Sequence, residues 1–150
     1  MFGSEDTRVL INRFYTALSG GDRDTLRELL TPEVEWQMPY SIEHNLVSGR
    51  DAVIDELGSG VVRKFFKRGT FRHEVQRIMC DGDMAVVQAT TSARTHDDEP
   101  YAMQYCWVYT FTGGRISYIR EYMDTHEAAR VFRWPTYQSR AGQPRECSPD

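Results

Sequence analysis

Two carboxylates, Glu121 and Asp124, close the one stretch of this sequence in which acid/base chemistry would be sought first. From Tyr101 onward, YAMQYCWVYTFTGGRISYIREYMD places Tyr101, Met103, Tyr105, Trp107, Tyr109 and Phe111 at every second position. Ala102, Gln104, Cys106, Val108 and Thr110 lie between them. A period of two in aromatic and β-branched residues predicts a long strand. Gly113-Gly114 offers the positive-φ positions of a tight turn, so Arg115 to Met123 returns as a second strand. A carboxyl on the aromatic face of such a hairpin would be poorly solvated. Loss of solvation disfavours the charged form and lifts the pKa toward the range useful for proton transfer. On the other face, beside Gln104 and Cys106, the same carboxyl would be an ordinary surface acid.

The turn decides between these outcomes. A two-residue Gly113-Gly114 loop sets Trp107 opposite Arg120. A three-residue loop, Thr112-Gly113-Gly114, sets Trp107 opposite Ile119 and Tyr105 opposite Glu121. One residue of slip exchanges the faces, and the residues alone leave both registers open. Asp124 stands three positions before Glu127, the spacing of a helix capping box, so capping competes with a catalytic role there. Around the hairpin, Phe14, Tyr15, Trp36, Met38, Tyr105, Trp107, Tyr109, Ile119 and Met123 are the expected lining of a substrate pocket, with Val53 and Leu57 as further apolar contributors. Tyr15 either aims its hydroxyl into that space or stacks on the sheet. Glu35 and His44 are weaker candidates for a second polar group at its mouth.

Other chemistries are disfavoured. The cysteines, Cys80, Cys106 and Cys147, are odd in number and lack Cys-x-x-Cys spacing, which points to a reducing cytoplasm. His44, His73, His96 and His126 form no His-x-x-x-His pair, so no metal site and no cofactor are expected. A net charge of −4 argues against a nucleic-acid surface, which needs clustered Lys and Arg. The Arg63-Lys64 and Lys67-Arg68 pairs around Phe65-Phe66 read as the solvated side of a helix end. No apolar run approaches the length of a membrane span, and the N-terminus lacks a signal-peptide layout.

The elements that must position these groups follow from periodicity. Ser4 is the expected cap of a first helix carrying Leu10, Ile11, Phe14, Ala17 and Leu18, ended by Gly20-Gly21. Asp22 or Asp24 caps a short second helix through Leu26, Leu29 and Leu30 that stops before Pro32. Val34 to Met38 reads as a strand and Tyr40 to Ser48 as loop. Asp51 opens a third helix, broken near Gly58 and Gly60. Phe71, Val75 and Met79 then mark one face of a strand, Asp81-Gly82 a hairpin turn, and Met84 to His96 the next strand. A last helix runs from Thr125 through Phe132 to Pro135. Residues 1–134 form one domain, and the polar tail 135–150 is expected to be loosely held. The class is α+β: a strongly curved sheet, mixed or antiparallel, wraps three to four helices as a cone and encloses a pocket.

This order, with Asn12 to Asp22 (NRFYTALSGGD), Val34 to Pro39 (VEWQMP), Gly49 to Val53 (GRDAV), Gly114-Arg115-Ile116 and Arg120 to Asp124 (REYMD), resembles the SnoaL-like branch of the nuclear transport factor 2-like superfamily over about Val9 to Phe132. Relatives include polyketide cyclases, ketosteroid isomerase and limonene epoxide hydrolase, as well as non-catalytic binding domains. The resemblance implies that positions Trp107 and Glu121 share the pocket, which favours the three-residue loop. The ketosteroid isomerase groups are replaced here by Met38, Trp107 and Phe14. The third-strand acid pattern of the epoxide hydrolase reads Ala89-Thr90-Thr91. Only Glu121 remains, the single carboxylate a SnoaL-type cyclase requires.

Two readings stand. One is a cofactor-independent enzyme that moves a proton on a hydrophobic metabolite (cyclisation, isomerisation, dehydration or epoxide opening). The other is a non-catalytic small-molecule-binding or dimerisation module. The outer strand face, Gln104, Cys106, Val108 and Thr110 with Val86, Gln88 and Thr90, is flat and poor in charge. The resemblance makes it the surface of a two-fold homodimer.

Overall fold

The computed structural model describes residues 3–42 and 44–133. Its elements are α1 (Ser4–Gly20), α2 (Arg23–Leu29), β1 (Leu30–Gln37), β2 (Leu46–Ser48), α3 (Arg50–Asp55), a π-helical turn (Glu56–Gly60), α4 (Val61–Phe65), β3 (Arg72–Asp81), β4 (Met84–Arg94), β5 (Pro100–Thr112), β6 (Arg115–Met123) and α5 (Thr125–Phe132). The strands form one six-stranded sheet in the order β2-β1-β6-β5-β4-β3. Neighbours are antiparallel except β1 and β6, which run parallel. The architecture is therefore the expected α+β with a mixed, curved sheet. The tail 135–150 and its Cys147 lie outside the described residues.

Burial along β4 and β5 alternates with the pleat, and the inner face carries Ala85, Val87, Ala89, Trp107, Tyr109 and Phe111. Helix α1 lays Ile11, Phe14 and Ala17 on that inner face, each less than 5 % exposed. Thr7 is fully buried, and its hydroxyl donates to the Gly82 carbonyl at 2.9 Å, tying α1 to the β3–β4 turn. Gly21, at φ 67°, ends the helix in the left-handed conformation, as the Gly20-Gly21 pair predicts. Asp22 caps α2 by accepting from the Thr25 N–H at 3.1 Å.

Several local expectations are corrected. The cap of α1 is Gly3, whose N–H donates to the Asp6 carboxylate at 3.2 Å, and Ser4 is already helical. Strand β1 begins at Leu30, four residues before the sequence signal. Pro32 falls where the β1–β6 register shifts between Leu30 and Glu35, a place where its missing N–H interrupts no regular ladder. The stretch Tyr40 to Ser48 is not all loop, because Leu46–Ser48 folds back onto Glu35–Gln37 as β2. Gln37 holds that return in place, donating from Nε2 to the Met38 and Asn45 carbonyls. The break near Gly58 and Gly60 takes the form of the π-helical turn between α3 and α4. A register shift between Val75 and Arg77 turns Met79 outward and brings Ile78 and Cys80 opposite inner-face residues Val87 and Ala85.

The core has two parts. One gathers α1, α2 and α3 against Trp36, Val87, Trp107, Tyr109 and Ile119. The other gathers Phe66, Ala93, Tyr101, Met103 and Ala128 near α5. Tyr105 packs against both.

Candidate functional site

The β5–β6 register departs from both sequence alternatives. Thr112 pairs with Arg115, and Phe111 with Ile116, so the loop is Gly113-Gly114 alone. Both glycines have positive φ, 57° and 75°, as a two-residue hairpin turn demands. Thr110 then pairs with Tyr118, leaving Ser117 as one extra residue on β6. Its hydroxyl donates to the Thr110 carbonyl at 3.2 Å, which stitches the bulge to the partner strand. From there Trp107 pairs with Glu121, Tyr109 with Ile119 and Tyr105 with Met123. The three-residue loop is thus corrected to a two-residue turn plus a bulge. The face it placed Glu121 on is the one observed, because the bulge adds the same single-residue change of phase.

Glu121 is 3 % exposed. Its Oε2 accepts from the Trp36 indole Nε1–H at 3.0 Å. Among the described residues Trp36 is the side-chain donor that holds the carboxyl. Burial is the larger influence on the carboxyl and pushes its pKa up to about 8, while the Trp36 hydrogen bond pulls the other way. Arg120 faces the opposite side, with its guanidinium 4.3 Å from the Tyr40 ring centre and 5.2 Å from that of Tyr122. It supplies no countercharge to Glu121. Above the carboxyl the rings form a ladder, Tyr105 stacked on Trp107 at 5.5 Å and Trp107 beside Trp36 at 6.0 Å.

Two phenol pairs flank this ladder. The hydroxyls of Tyr15 and Tyr109 are 2.7 Å apart, and those of Tyr101 and Tyr105 are 2.6 Å apart. Burial raises the pKa of all four, and a negative charge on Glu121 raises each further. In each pair one O–H is used in the mutual bond and the other is left to donate, while both oxygens keep lone pairs that can accept.

The remaining expected residues are distributed as follows. Phe14 packs edge-on against Tyr15 and Tyr109. Ile119 is fully buried, and Met38 and Met123 are half-buried against the two parts of the core. Asp124 stands apart from Glu121: its Oδ1 accepts from the His126 and Glu127 N–H groups at 3.0 and 3.2 Å, which makes it the cap of α5. Glu35 pairs with Tyr118, on the outer face, and His44 is exposed. Two residues escaped the sequence reading. Tyr101 contributes the second phenol pair. His73 stacks on Tyr15 at 5.5 Å, with Nδ1 2.9 Å from the Thr91 hydroxyl and Nε2 buried without a partner. Burial lowers its pKa, which favours the neutral ring. Its position between Phe71 and Val75 in the alternation was the available signal.

Two open grooves lie on the outer face of the sheet. One of about 500 Å³ is lined by Arg72, Glu74, Thr90, Ser92, Gln104 and Asp124. The other, of about 380 Å³, runs along Gln76, Gln88, Cys106 and Tyr122. Among the described residues, no cluster of His, Cys, Asp or Glu is disposed to hold a metal ion, and no helix is long and apolar enough to cross a membrane.

Comparison with known proteins agrees with this geometry. None of the curated protein sequences matches the chain. Among solved structures, a protein described as a SnoaL-like polyketide cyclase from Jannaschia sp. CCS1 is similar at a TM-score of 0.73 and 19 % identity, over 89 % of this chain and 95 % of that one. An epoxide hydrolase of M. tuberculosis, described as LEH-like, gives a TM-score of 0.65 at 19 % identity, over 87 % and 92 % of the two chains. An NTF2-like protein of unknown function from Burkholderia pseudomallei gives 0.72 at 20 % identity, over 84 % and 96 %. At such identities the likeness is one of fold. The model of the SnoaL-like domain matches residues 11–119, from the fully buried Ile11 of α1 to the Ile119 that pairs with Trp36, and the chain belongs to that family, on the nuclear transport factor 2-like fold.

Proposed function

We propose that the chain is a cofactor-independent acid/base enzyme acting on a hydrophobic small molecule, with Glu121 as its proton-transfer group. One observation carries the reading. Glu121 is a buried carboxyl without a cationic partner among the described residues, held at one oxygen by Trp36 and lying across the hairpin from Trp107. With its pKa pushed to about 8, the group is mostly protonated at neutral pH and starts as an acid. It gives its proton to a substrate oxygen or carbon and then, as a carboxylate still bonded to Trp36, takes one back. Cyclisation, isomerisation, dehydration and epoxide opening all contain such a step. Positioned general acid/base catalysis of this kind contributes typically about 10²- to 10⁴-fold in rate.

A second reading, a non-catalytic binding module, draws on a different observation. Among the described residues the side-chain donor to Glu121 is an indole, which does not titrate and gives the carboxyl no proton relay. In that case Glu121 recognises a ligand without transforming it.

The experiment is a carbon-13 NMR titration of the Glu side-chain carboxyls, with Glu121→Gln to assign the signal, followed by solvent-deuterium incorporation into apolar ring ketones. The enzyme reading expects a midpoint near 8 and incorporation above buffer rate that Glu121→Gln abolishes. A midpoint near 4.5 removes it. A midpoint near 8 with incorporation that is the same in both proteins leaves the binding module.

A further inference from the structure

Arg120 is a cation that the outer face of the sheet leaves unanswered. It lies on β6, opposite Val108 of β5 and Gln37 of β1. Among the described residues, the groups that bear on its charge are the phenols of Tyr122, Tyr40 and Tyr118, and no carboxylate is among them. Its Nη1 is buried and meets no acceptor. A guanidinium drawn partly out of water ordinarily meets an anion, and an unmatched buried donor marks a place where an acceptor is expected. Two rings clasp the group, with the centre of Tyr40 4.3 Å and that of Tyr122 5.2 Å away. Both are open to solvent, Tyr40 at 70 % and Tyr122 at 51 %. Tyr40 stands on the turn after β1, outside the packed core, so its ring can turn aside and uncover the guanidinium.

The neighbouring surface narrows what the anion is attached to. Tyr122 also lines the groove of about 380 Å³, within the size range of ligand sites, together with Gln76, Gln88, Gln104 and Cys106. Cys106 pairs with Tyr122 on one side and Gln88 on the other, so the groove crosses the strands next to the clasp. The three glutamines are exposed, and their side-chain amides are unused among the described residues. Each amide offers donors and an acceptor, the complement of a peptide unit. Outer-face positions repeat every two residues, so the Arg120 row lies about 7 Å from the Tyr122–Cys106 row and about 14 Å from Gln104. An extended peptide has the same repeat. With its terminal carboxylate at Arg120, its last peptide units lie over Cys106, Gln88 and Gln104. A phosphate dianion is poorly matched by one guanidinium among phenols, and an apolar body leaves the amides unpaired.

We propose that the clasp of Tyr40, Arg120 and Tyr122, with the adjoining groove, binds the carboxyl-terminal end of an extended peptide. Arg120 takes the carboxylate, and Gln88 and Gln104 take the peptide units before it. The site is on the face opposite Glu121 and does not depend on the enzyme reading.

The test uses the full chain with N-acetyl-trialanine and its C-terminal amide, which differ only in the carboxylate. Titration calorimetry at low salt should show the acid binding roughly ten- to a hundredfold more tightly than the amide, the range of a hydrogen bond to a charged group. Added salt should shrink that ratio. In Arg120→Gln the acid and the amide should bind alike. Gln104→Ala should weaken both by the same factor. Equal affinities in the wild type, binding of neither form, a preference that survives Arg120→Gln, or a Gln104→Ala variant that binds both forms as the wild type does overturns the proposal. Should Arg120→Gln fail to fold, the wild-type ratio and its salt dependence decide. A wild-type dimer that Arg120→Gln dissociates, with no binding of the acid, names a second copy of the chain as the occupant and likewise overturns it.

Discussion

The indole N–H of Trp36 donates to Glu121 Oε2 over 3.0 Å, joining residues 85 positions apart in the chain. The bond exists because β1 runs parallel beside β6, with Trp36 opposite Ile119 two residues from Glu121. It is the one influence that pulls the Glu121 pKa down against burial. Replacing Trp36 by Phe keeps the ring and removes the donor. The Glu121 midpoint should then rise above about 8, and the variant should lose more stability at pH 9 than at pH 6, because the lost bond is stronger to the ionised form. Carboxyl NMR and thermal melts at the two pH values check both. An unchanged midpoint would show that the bond has no hold on the titration.

Glu121 also makes stability depend on pH. Its folded pKa, about 8, lies above the ordinary glutamate value of 4.5, so the folded state holds the proton where the unfolded chain has released it. The stabilisation is complete below about pH 4.5 and is lost progressively as pH rises to 8, by about 5 kcal/mol in all on an order-of-magnitude scale. Glu121→Gln keeps the shape and an acceptor for Trp36 without titrating. Relative to the wild type it should gain stability steadily between pH 5 and 8. Urea unfolding at several pH values measures this, and parallel profiles for the two proteins would contradict it.

The Tyr15–Tyr109 pair should behave as one unit. Tyr15→Phe leaves the buried Tyr109 hydroxyl without its partner, at a cost of about 1–3 kcal/mol, and Tyr109→Phe does the same to Tyr15. The double change to Phe strands neither group. It should cost less than the two single changes added together, as a double-mutant cycle in urea would show. Strict additivity would mean that the hydroxyls do not rely on each other.

Ser117 is the extra residue of the β6 bulge. Deleting it makes the Phe111–Ile116 and Thr110–Tyr118 pairs consecutive, so the ladder becomes regular and Glu121 stays opposite Trp107. The deletion should therefore fold and keep a carboxyl titrating near 8. Likewise Gly113→Ala strains a residue at φ 57° and costs roughly 1 kcal/mol, yet leaves the midpoint in place because the pairing is unchanged. Soluble yield, melting temperature and the Glu121 signal check both. A Ser117 deletion that folds with an ordinary Glu121 midpoint would show that the strands re-register without the bulge.

A homodimer through the outer sheet face is the assembly proposed for this chain. That face carries Gln104, Cys106 and Val108, with Gln88 opposite Cys106 and Val86 opposite Val108, a largely uncharged surface between strands. Sedimentation at micromolar concentration should give twice the mass of one chain, and Val108→Arg should reduce it to one. A wild-type protein that sediments as a single chain would end the idea.

How far residue order reached can be seen at particular positions. Alternation from Tyr101 to Phe111 depends only on side-chain chemistry and the two-residue pleat, so the strand, its inner aromatic face and its outer face were legible. The same holds for Gly21 and Asp22 as helix ends and for Asp124 as a cap, because each acts on backbone within a few residues. Partnership was not legible. Leu46–Ser48 has no pattern of its own and becomes a strand only because β1 offers it an edge. Ser117 is an unremarkable serine, and it bulges because β6 must meet β5 on one side and β1 on the other in registers that a regular strand does not provide together. His73 follows the alternation of its strand, but its buried, unpaired nitrogen exists only once α1 lays Tyr15 over it. The chemistry of Glu121 falls on the same side of the line. Sequence places a carboxylate near aromatic residues, but its pKa follows from the water those residues exclude and from the single donor that Trp36 brings from across the fold. Desolvation and long-range hydrogen bonds are properties of packed neighbours, and only the tertiary structure chooses them.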